Sequence, residues 1–376
     1  MKRIFFLLSV ICALSLFSLS VFAEEGDMPE GYGELIGDLG DDISERLPDG
    51  IFSDDADEVG ESVSNMSESG FWFSVTEEIL KETLASSAQL FMKLCGLIVL
   101  SAIFSAVSRS LSSDSMSSAV RFCSVSAIFA SMIYIQTEHL RSVEQFFGRL
   151  LAMMGAMIPI TGTVWAMGGN VSTATAGTSA LYVFLSVCEG IFGKSIVPVC
   201  CVFTALALCN SLAPDMGLSG LTATLKRIYT FFLGFIMTVL ISSLSSQTAL
   251  SAAADSTGAR AAKLLSANVI PIVGASVGDT LRTVATSVGY LKSIIGIGGI
   301  CFILLLLLPL LAELLLTRLA FSLASGVGEL MGCDTEKRFL SELGGVYGIM
   351  IAVVAMSSVM FIFALTIFLK TVVALM

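Results

Sequence analysis

The sequence lacks the residues on which most enzyme sites are built. It has a single histidine, His139, and no Gly-x-Ser-x-Gly or His-Glu-x-x-His pattern. The Gly193-Lys194-Ser195 triplet has Cys188 where a phosphate-binding loop requires glycine. Nucleophilic, zinc-dependent and nucleotide-hydrolysing chemistry therefore has no visible machinery. We predict that the protein is not an enzyme and holds no metal or cofactor.

Charged residues are few, and the acidic ones are concentrated in one segment. Residues 24–87 hold 19 of the 31 acidic residues, with only Arg46 and Lys81 as basic residues, whereas residues 88–376 carry 12 acidic and 16 basic residues. The acidic segment also lacks cysteine, which excludes a disulfide framework there. Because an acidic surface repels nucleic acid, we expect no DNA or RNA partner.

Long uncharged runs make up most of the remaining chain. Runs of 20 uncharged residues separate Lys194 from Asp215 and Lys292 from Glu313, and 27 uncharged residues precede Lys370. A helix of about 20 apolar residues crosses the roughly 30 Å hydrocarbon core of a bilayer, and its backbone amides pair internally. We therefore predict that residues 88–376 form an all-α, polytopic membrane bundle with about seven to nine membrane segments, surrounded by lipid.

Some of these membrane segments are expected to be irregular. Pro159 and Gly162 interrupt the uncharged residues between Arg149 and Glu189, which predicts a broken helix followed by a full span. A capping-box pattern at Ser74 and Glu77 predicts a helix that starts at Ser74 and enters the membrane near residue 88. The apolar run Leu319–Met331 is too short to span alone and is expected to be re-entrant or interfacial.

The N-terminus has the layout of a secretory signal. Lys2 and Arg3 precede an uncharged apolar stretch that ends at Ala23, immediately before Glu24. This pattern predicts a signal peptide at residues 1–23, cleaved after Ala23; an uncleaved anchor is the alternative. Both interpretations place the acidic segment, residues 24–87, outside the cytoplasm, with short amphipathic helices in it.

Charges within apolar surroundings are the best indicator of function in such a chain. Asp279 and Arg282 lie at i and i+3, after an interruption at Pro271 that resembles the one at Pro159. Two interpretations fit: the pair lines a polar pore, or it lies on an amphipathic helix at the membrane surface. Glu313 and Arg318 are a second charged pair, which either belongs to the same lining or marks the interface.

One stretch carries a family resemblance: Gly258-Ala259-Arg260-Ala261-Ala262-Lys263, followed by Ser266, Asn268, Pro271, Gly274 and Asp279. This stretch and the overall layout resemble the stage III sporulation protein AE family of endospore-forming bacteria. The resemblance implies a multi-pass subunit of a channel-like complex in the mother-cell membrane that faces the forespore. The implied partners are the other stage III AA to AH proteins, including a separate ATPase subunit, and a forespore-membrane protein.

Three functions remain open from the sequence. The leading one is a subunit of this sporulation channel complex, required for forespore development. The first alternative is an autonomous secondary transporter with its substrate site at the Pro159 and Pro271 interruptions. The second is a structural scaffold that transports nothing. The candidate pore or assembly residues, without catalytic roles, are the family-motif residues together with Arg282 and Pro159. The motif residues are Arg260, Lys263, Asn268, Pro271, Gly274 and Asp279.

Overall fold

The structure is a computed structural model that describes residues 46–53, 55–110, 114–167, 171–213, 218–269 and 274–370. For residues 254–288 it describes only the helical backbone of 254–269 and 274–288 and no side chain. The predicted signal peptide and the first part of the acidic segment, through residue 45, lie outside the described residues. The part that is described has no β-strand, which confirms the all-α prediction.

The described chain consists of eight α-helices in sequence order. They are α1 (Ala56–Ser67), α2 (Ser69–Ser110), α3 (Asp114–Met167), α4 (Val171–Cys188), α5 (Lys194–Leu212), α6 (Leu218–Val269), α7 (Gly274–Leu330) and α8 (Asp334–Lys370). A short 3-10 helix, Asp49–Phe52, precedes α1, and a π-helical turn, Glu189–Gly193, joins α4 to α5 without ending the helix.

Six stretches of the described chain are long and apolar enough to cross a bilayer. They are Gly70–Val107, Ser118–Met167, Ala174–Leu212, Ser219–Ser246, Gly289–Leu330 and Asp334–Ile367. These six are fewer than the predicted seven to nine segments because neighbouring segments are joined into single helices. The helices are also longer than a bilayer requires: the 57 residues of α7 extend about 85 Å, against a hydrocarbon core of about 30 Å.

The hairpin of α7 and α8 forms the centre of the bundle. Within their most apolar windows, 78% of the α7 residues and 72% of the α8 residues are buried, compared with 17% for α6. The two helices are joined by a Schellman turn: Gly332 has a φ of 69°, and the Cys333 amide donates to the Gly328 carbonyl at 2.9 Å. Because glycine adopts positive φ without strain, it permits the abrupt reversal that brings α8 back along α7.

Two expected interruptions are absent, and the predictions built on them were wrong. Pro159 lies inside α3, which continues to Met167, and Leu319–Leu330 is the last part of α7 rather than a re-entrant segment. A proline removes one backbone hydrogen bond, but apolar surroundings offer no competing partner for the backbone, so the helix continues. Leu319–Leu330 does not have to cross a bilayer by itself, because it is the end of a helix that is already long enough to do so.

The end of the acidic segment is folded against the membrane domain. Buried apolar residues of α1, of the 3-10 helix and of the residues just before it pack in the common core: Leu47, Ile51, Val59, Val63 and Met66. Gly60 approaches α7 so closely that a methyl group in its place would overlap the Tyr290 hydroxyl. Asp55 caps α1 by accepting a hydrogen bond from the Asp57 amide at 3.0 Å.

The predicted start of the first long helix was wrong. Helix α2 begins at Ser69, so Ser74 lies within it and donates its hydroxyl to the Phe71 carbonyl at 2.8 Å. Glu77 pairs with Lys81 at 2.7 Å instead of completing a capping box. The helix then continues without interruption past residue 88, the expected boundary between the acidic segment and the membrane domain.

Candidate functional site

Polar side chains are buried where the helices of the bundle meet. An unpaired polar group in an apolar interior is strongly unfavourable, so the partners of these side chains indicate which contacts the fold is built to keep. The buried polar residues on the membrane helices include Ser101, Gln136, His139, Thr204, Asn210 and Glu336. Their side-chain partners lie on other helices, and α7 or α8 takes part in most of these contacts.

His139 joins three helices at one imidazole ring. It lies on α3 with 5% of its surface exposed. Its Nε2 is 3.1 Å from Glu313 Oε1 on α7, and its Nδ1 is 2.6 Å from the Tyr347 hydroxyl oxygen on α8. Tyr347 is fully buried, and its ring meets the rings of His139 and Phe321 edge-on. Both ring nitrogens of this histidine are therefore engaged by polar partners.

A second polar cluster joins α5, α6 and α8. Lys226 Nζ lies 3.0 Å from Glu342 Oε2, and the Asn210 amide donates to Glu342 Oε1 at 3.0 Å. The Lys226 and Glu342 side chains are only 17% and 23% exposed. Lys226 also lies 6.0 Å from the centre of the Phe203 ring. Charges in apolar surroundings are rare unless they are paired, and these two are paired with each other.

Glycines on α8 leave room for two of the basic side chains. A methyl group at Gly345 would lie 2.9 Å from Lys226 Nζ, and one at Gly348 would lie 3.2 Å from the guanidinium carbon of Arg318. No atom would lie within 4 Å of a methyl group at Gly344. The two cations thus rest against the α8 backbone at positions where a side chain would displace them.

Two further polar contacts join helices of the bundle. Glu336 at the start of α8 is 2% exposed and accepts hydrogen bonds from the hydroxyls of Ser101 on α2 and Ser124 on α3. Gln136 on α3 donates to the Thr204 hydroxyl on α5. Each contact joins helices that are distant in sequence, so the polar groups fix how the helices are arranged.

A groove leads from the surface to Glu313. It lies between α2, α3 and α7 and has a volume of about 330 Å³. Phe146, Leu306 and Leu310 contribute apolar surface to its lining. Its polar lining consists of Glu82, Thr83, Ser86, Ser142, Gln145, Arg149 and Glu313. Glu313 therefore contacts His139 with one oxygen and belongs to the wall of an open groove.

Most of the side chains predicted from the sequence as pore or assembly residues lie outside the described residues. Pro159 is exposed on α3, and the structure places it in no polar cluster. Gly274 is the first residue of α7, and Pro271 lies outside the described residues. The side chains of the other candidates also lie outside the described residues: Arg260, Lys263, Asn268, Asp279 and Arg282. Of the predicted charged pair on α7, Glu313 contacts His139 and Arg318 packs against Gly348.

The paired residues were missed because no local pattern marks them. His139 and Tyr347 are separated by 208 residues, and Lys226 and Glu342 by 116. The only available signal was an isolated charge or histidine within an otherwise apolar helix. Among the residues that the structure describes, no three His, Cys, Asp or Glu side chains are grouped closely enough to hold a metal ion.

Comparison with known proteins decides the family. The family model for stage III sporulation protein AE matches residues 57–371. The chain belongs to the stage III sporulation protein AE family. The match contains all six membrane-length helices and the motif at residues 258–279, and it confirms the resemblance seen in the sequence. Membership supports a role in sporulation for this multi-pass membrane protein.

A curated relative agrees with this assignment. The chain is 23% identical over 287 residues to the stage III sporulation protein AE of Bacillus subtilis (strain 168), which covers 73% of this chain and 70% of the relative. No solved structure matches the chain.

Proposed function

We propose that this protein is a membrane subunit of a channel complex that links the mother cell and the forespore, and that forespore development requires it. Family membership supports the sporulation part of this proposal. The proposed role as a membrane subunit rests on the ion pair of Lys226 and Glu342, which lies inside a bundle of membrane-length helices. Paired charges at such positions are typical of membrane proteins with a function in the bundle interior.

The proposal includes a location and partners. The protein would lie in the mother-cell membrane that faces the forespore, with its N-terminal segment outside the cytoplasm. It would act with the other stage III AA to AH proteins, with a separate ATPase subunit and with a forespore-membrane partner. The large exposed apolar residues of α6, with Phe231 at 75% exposure, give the bundle a surface suited to lipid or to another membrane subunit.

An autonomous transporter is a weaker explanation for this structure. That hypothesis relied on interrupted helices at Pro159 and Pro271. Helix α3 runs through Pro159 without interruption, so half of the expected substrate site is absent from the described chain. The experiment below distinguishes the proposed function from that of a scaffold that transports nothing.

The test is a chromosomal replacement in the spore-forming host. The variants are a deletion, Lys226→Met, and Arg227→Met as a matched control, because Arg227 is the exposed neighbour of Lys226. Forespore-specific reporter expression and the amount of protein in the membrane are measured after engulfment. We expect expression to fail in the deletion and to fall in Lys226→Met at a normal membrane level, with Arg227→Met unaffected.

Three results would contradict the proposal. Normal forespore expression in the deletion strain would remove the role in forespore development. Solute movement by the purified protein alone in liposomes would favour the autonomous transporter. If Lys226→Met accumulates normally and supports full expression, the interior of the bundle has no role beyond assembly, and the scaffold becomes the better explanation.

A further inference from the structure

We propose that His139, Glu313 and Tyr347 form a proton-binding site that takes its proton from water in the groove between α2, α3 and α7. The proposal concerns what the bundle binds, and it stands on geometry rather than on the sporulation role. Three observations support it: the burial of the ring, the use of both ring nitrogens, and the groove that reaches Glu313.

The hydrogen bonds predict which nitrogen of neutral His139 carries the hydrogen. Glu313 is a carboxylate and accepts, so Nε2, at 3.1 Å from Glu313 Oε1, is the nitrogen that donates. The opposite nitrogen, Nδ1, is then an acceptor and receives the Tyr347 hydroxyl hydrogen across 2.6 Å. The alternative tautomer would point a ring lone pair at the carboxylate, which is electrostatically unfavourable.

Glu313 connects this buried ring to water. Its side chain is 39% exposed, against 7% for the His139 side chain. Glu313 Oε1 contacts the ring, and Oε2 accepts no hydrogen bond from any residue that the structure describes. A carboxylate in this position stabilises an adjacent imidazolium and is itself in contact with groove water. The ring therefore has both a counter-ion and a source of protons.

Other charged and titratable groups face the site from the surrounding helices. Glu82 of α2 is paired with Arg46, and Glu342 of α8 is paired with Lys226. Arg149 of α3 lines the groove, Arg318 of α7 lies against Gly348, and Cys200 of α5 lies within electrostatic reach of Tyr347. Glu313 is the carboxylate in direct contact with the ring, so it is the group on which imidazolium formation depends most.

Proton binding changes the hydrogen bonding between α3 and α8. A hydronium ion in the groove gives up a proton and becomes water, imidazole becomes imidazolium, and no covalent bond of the protein backbone or of Glu313 is broken. Nδ1 then donates to the Tyr347 oxygen instead of accepting from its hydroxyl. The Tyr347 hydrogen must turn toward another acceptor, so uptake of a proton is transmitted to the central helix α8.

The single histidine makes this proposal directly measurable. The full-length protein, purified with a tag that contains no histidine and labelled with ¹⁵N-histidine, gives nitrogen resonances from His139 alone. We expect only the Nε2–H tautomer at alkaline pH and a doubly protonated ring on acidification. In Glu313→Gln the doubly protonated ring should lose its counter-ion and be less populated than in the unsubstituted protein at the same pH, because the adjacent negative charge is lost.

Two further variants separate proton binding from a merely structural contact. Tyr347→Phe should remain protonatable but show both neutral tautomers, because nothing donates to Nδ1. Glu144→Gln, which removes an exposed carboxylate on the same helix, should leave the spectrum unchanged. If Glu313→Gln behaves like Glu144→Gln, the proposal is wrong. If Glu313→Gln does not fold, the spectrum of the unsubstituted protein tests the proposal. The proposal is wrong if the His139 ring stays neutral until the protein unfolds, or if the neutral ring is the Nδ1–H tautomer.

Discussion

Removing one charge of the Lys226–Glu342 pair should destabilise the bundle more than removing both. The two side chains are 3.0 Å apart and only 17% and 23% exposed, so Lys226→Met leaves the Glu342 carboxylate with Asn210 as its described partner. Removing one member of a fully buried pair costs about 3–5 kcal/mol, and partial exposure of this pair reduces that to about 2–3 kcal/mol. Replacing both residues by neutral ones should cost less than about 1 kcal/mol.

A double-mutant cycle measures this coupling. The free energy of unfolding is determined by denaturation in mixed micelles for Lys226→Met, Glu342→Gln and the double variant, with Arg227→Met as an exposed control. We expect a coupling of at least about 3 kcal/mol between the two substitutions and no effect in the control. If the single substitutions each cost under about 0.5 kcal/mol and simply add, the charges are not paired in an apolar interior and the reasoning is refuted.

Two glycine substitutions test the close contacts. Gly348→Val should lower the free energy of unfolding by about 1–3 kcal/mol because it displaces the Arg318 guanidinium, whereas Gly344→Val should cost less; equal costs would contradict the packing. Gly60→Ala should lower the free energy of unfolding by a similar amount, because the added methyl group overlaps the Tyr290 hydroxyl. Combining it with Tyr290→Phe should restore part of this loss in a thermal melting experiment. If the double variant is no more stable than Gly60→Ala, the overlap with Tyr290 is not the cause.

The class of fold could be predicted from the sequence because a long run without charged residues is a reliable indicator of a membrane-spanning helix. The uncharged runs that precede Asp215, Glu313 and Lys370 each fall, for the most part, within one of the helices that can span a membrane. The number of separate segments was harder to predict, because a proline or glycine that would interrupt a helix in water need not do so in the apolar surroundings of a membrane. Pro159 is the clearest example: its position suggested an end to a helix that continues for eight more residues, to Met167.

The polar site was beyond prediction from the sequence, since its members come from distant parts of the chain. His139 is paired with Glu313 only because α3 packs against α7, and no periodicity specifies that pairing. The family was predictable because its motif is local, from Arg260 to Asp279. Its residues and the polar clusters are different sets, so the motif identified the family without identifying the contacts that hold the described bundle together.

The central claim is that α7 and α8 form a shielded core and that lipid contacts the outer helices. Photoactivatable lipid reagents in a bilayer that holds the full-length protein, followed by peptide mass spectrometry, measure this directly. The structure predicts strong labelling of α6 at Phe231, which is 75% exposed, and protection of α7 at Ile303, which is fully buried. Labelling of Ile303 as strong as that of Phe231 would contradict the architecture and the paired interior derived from it.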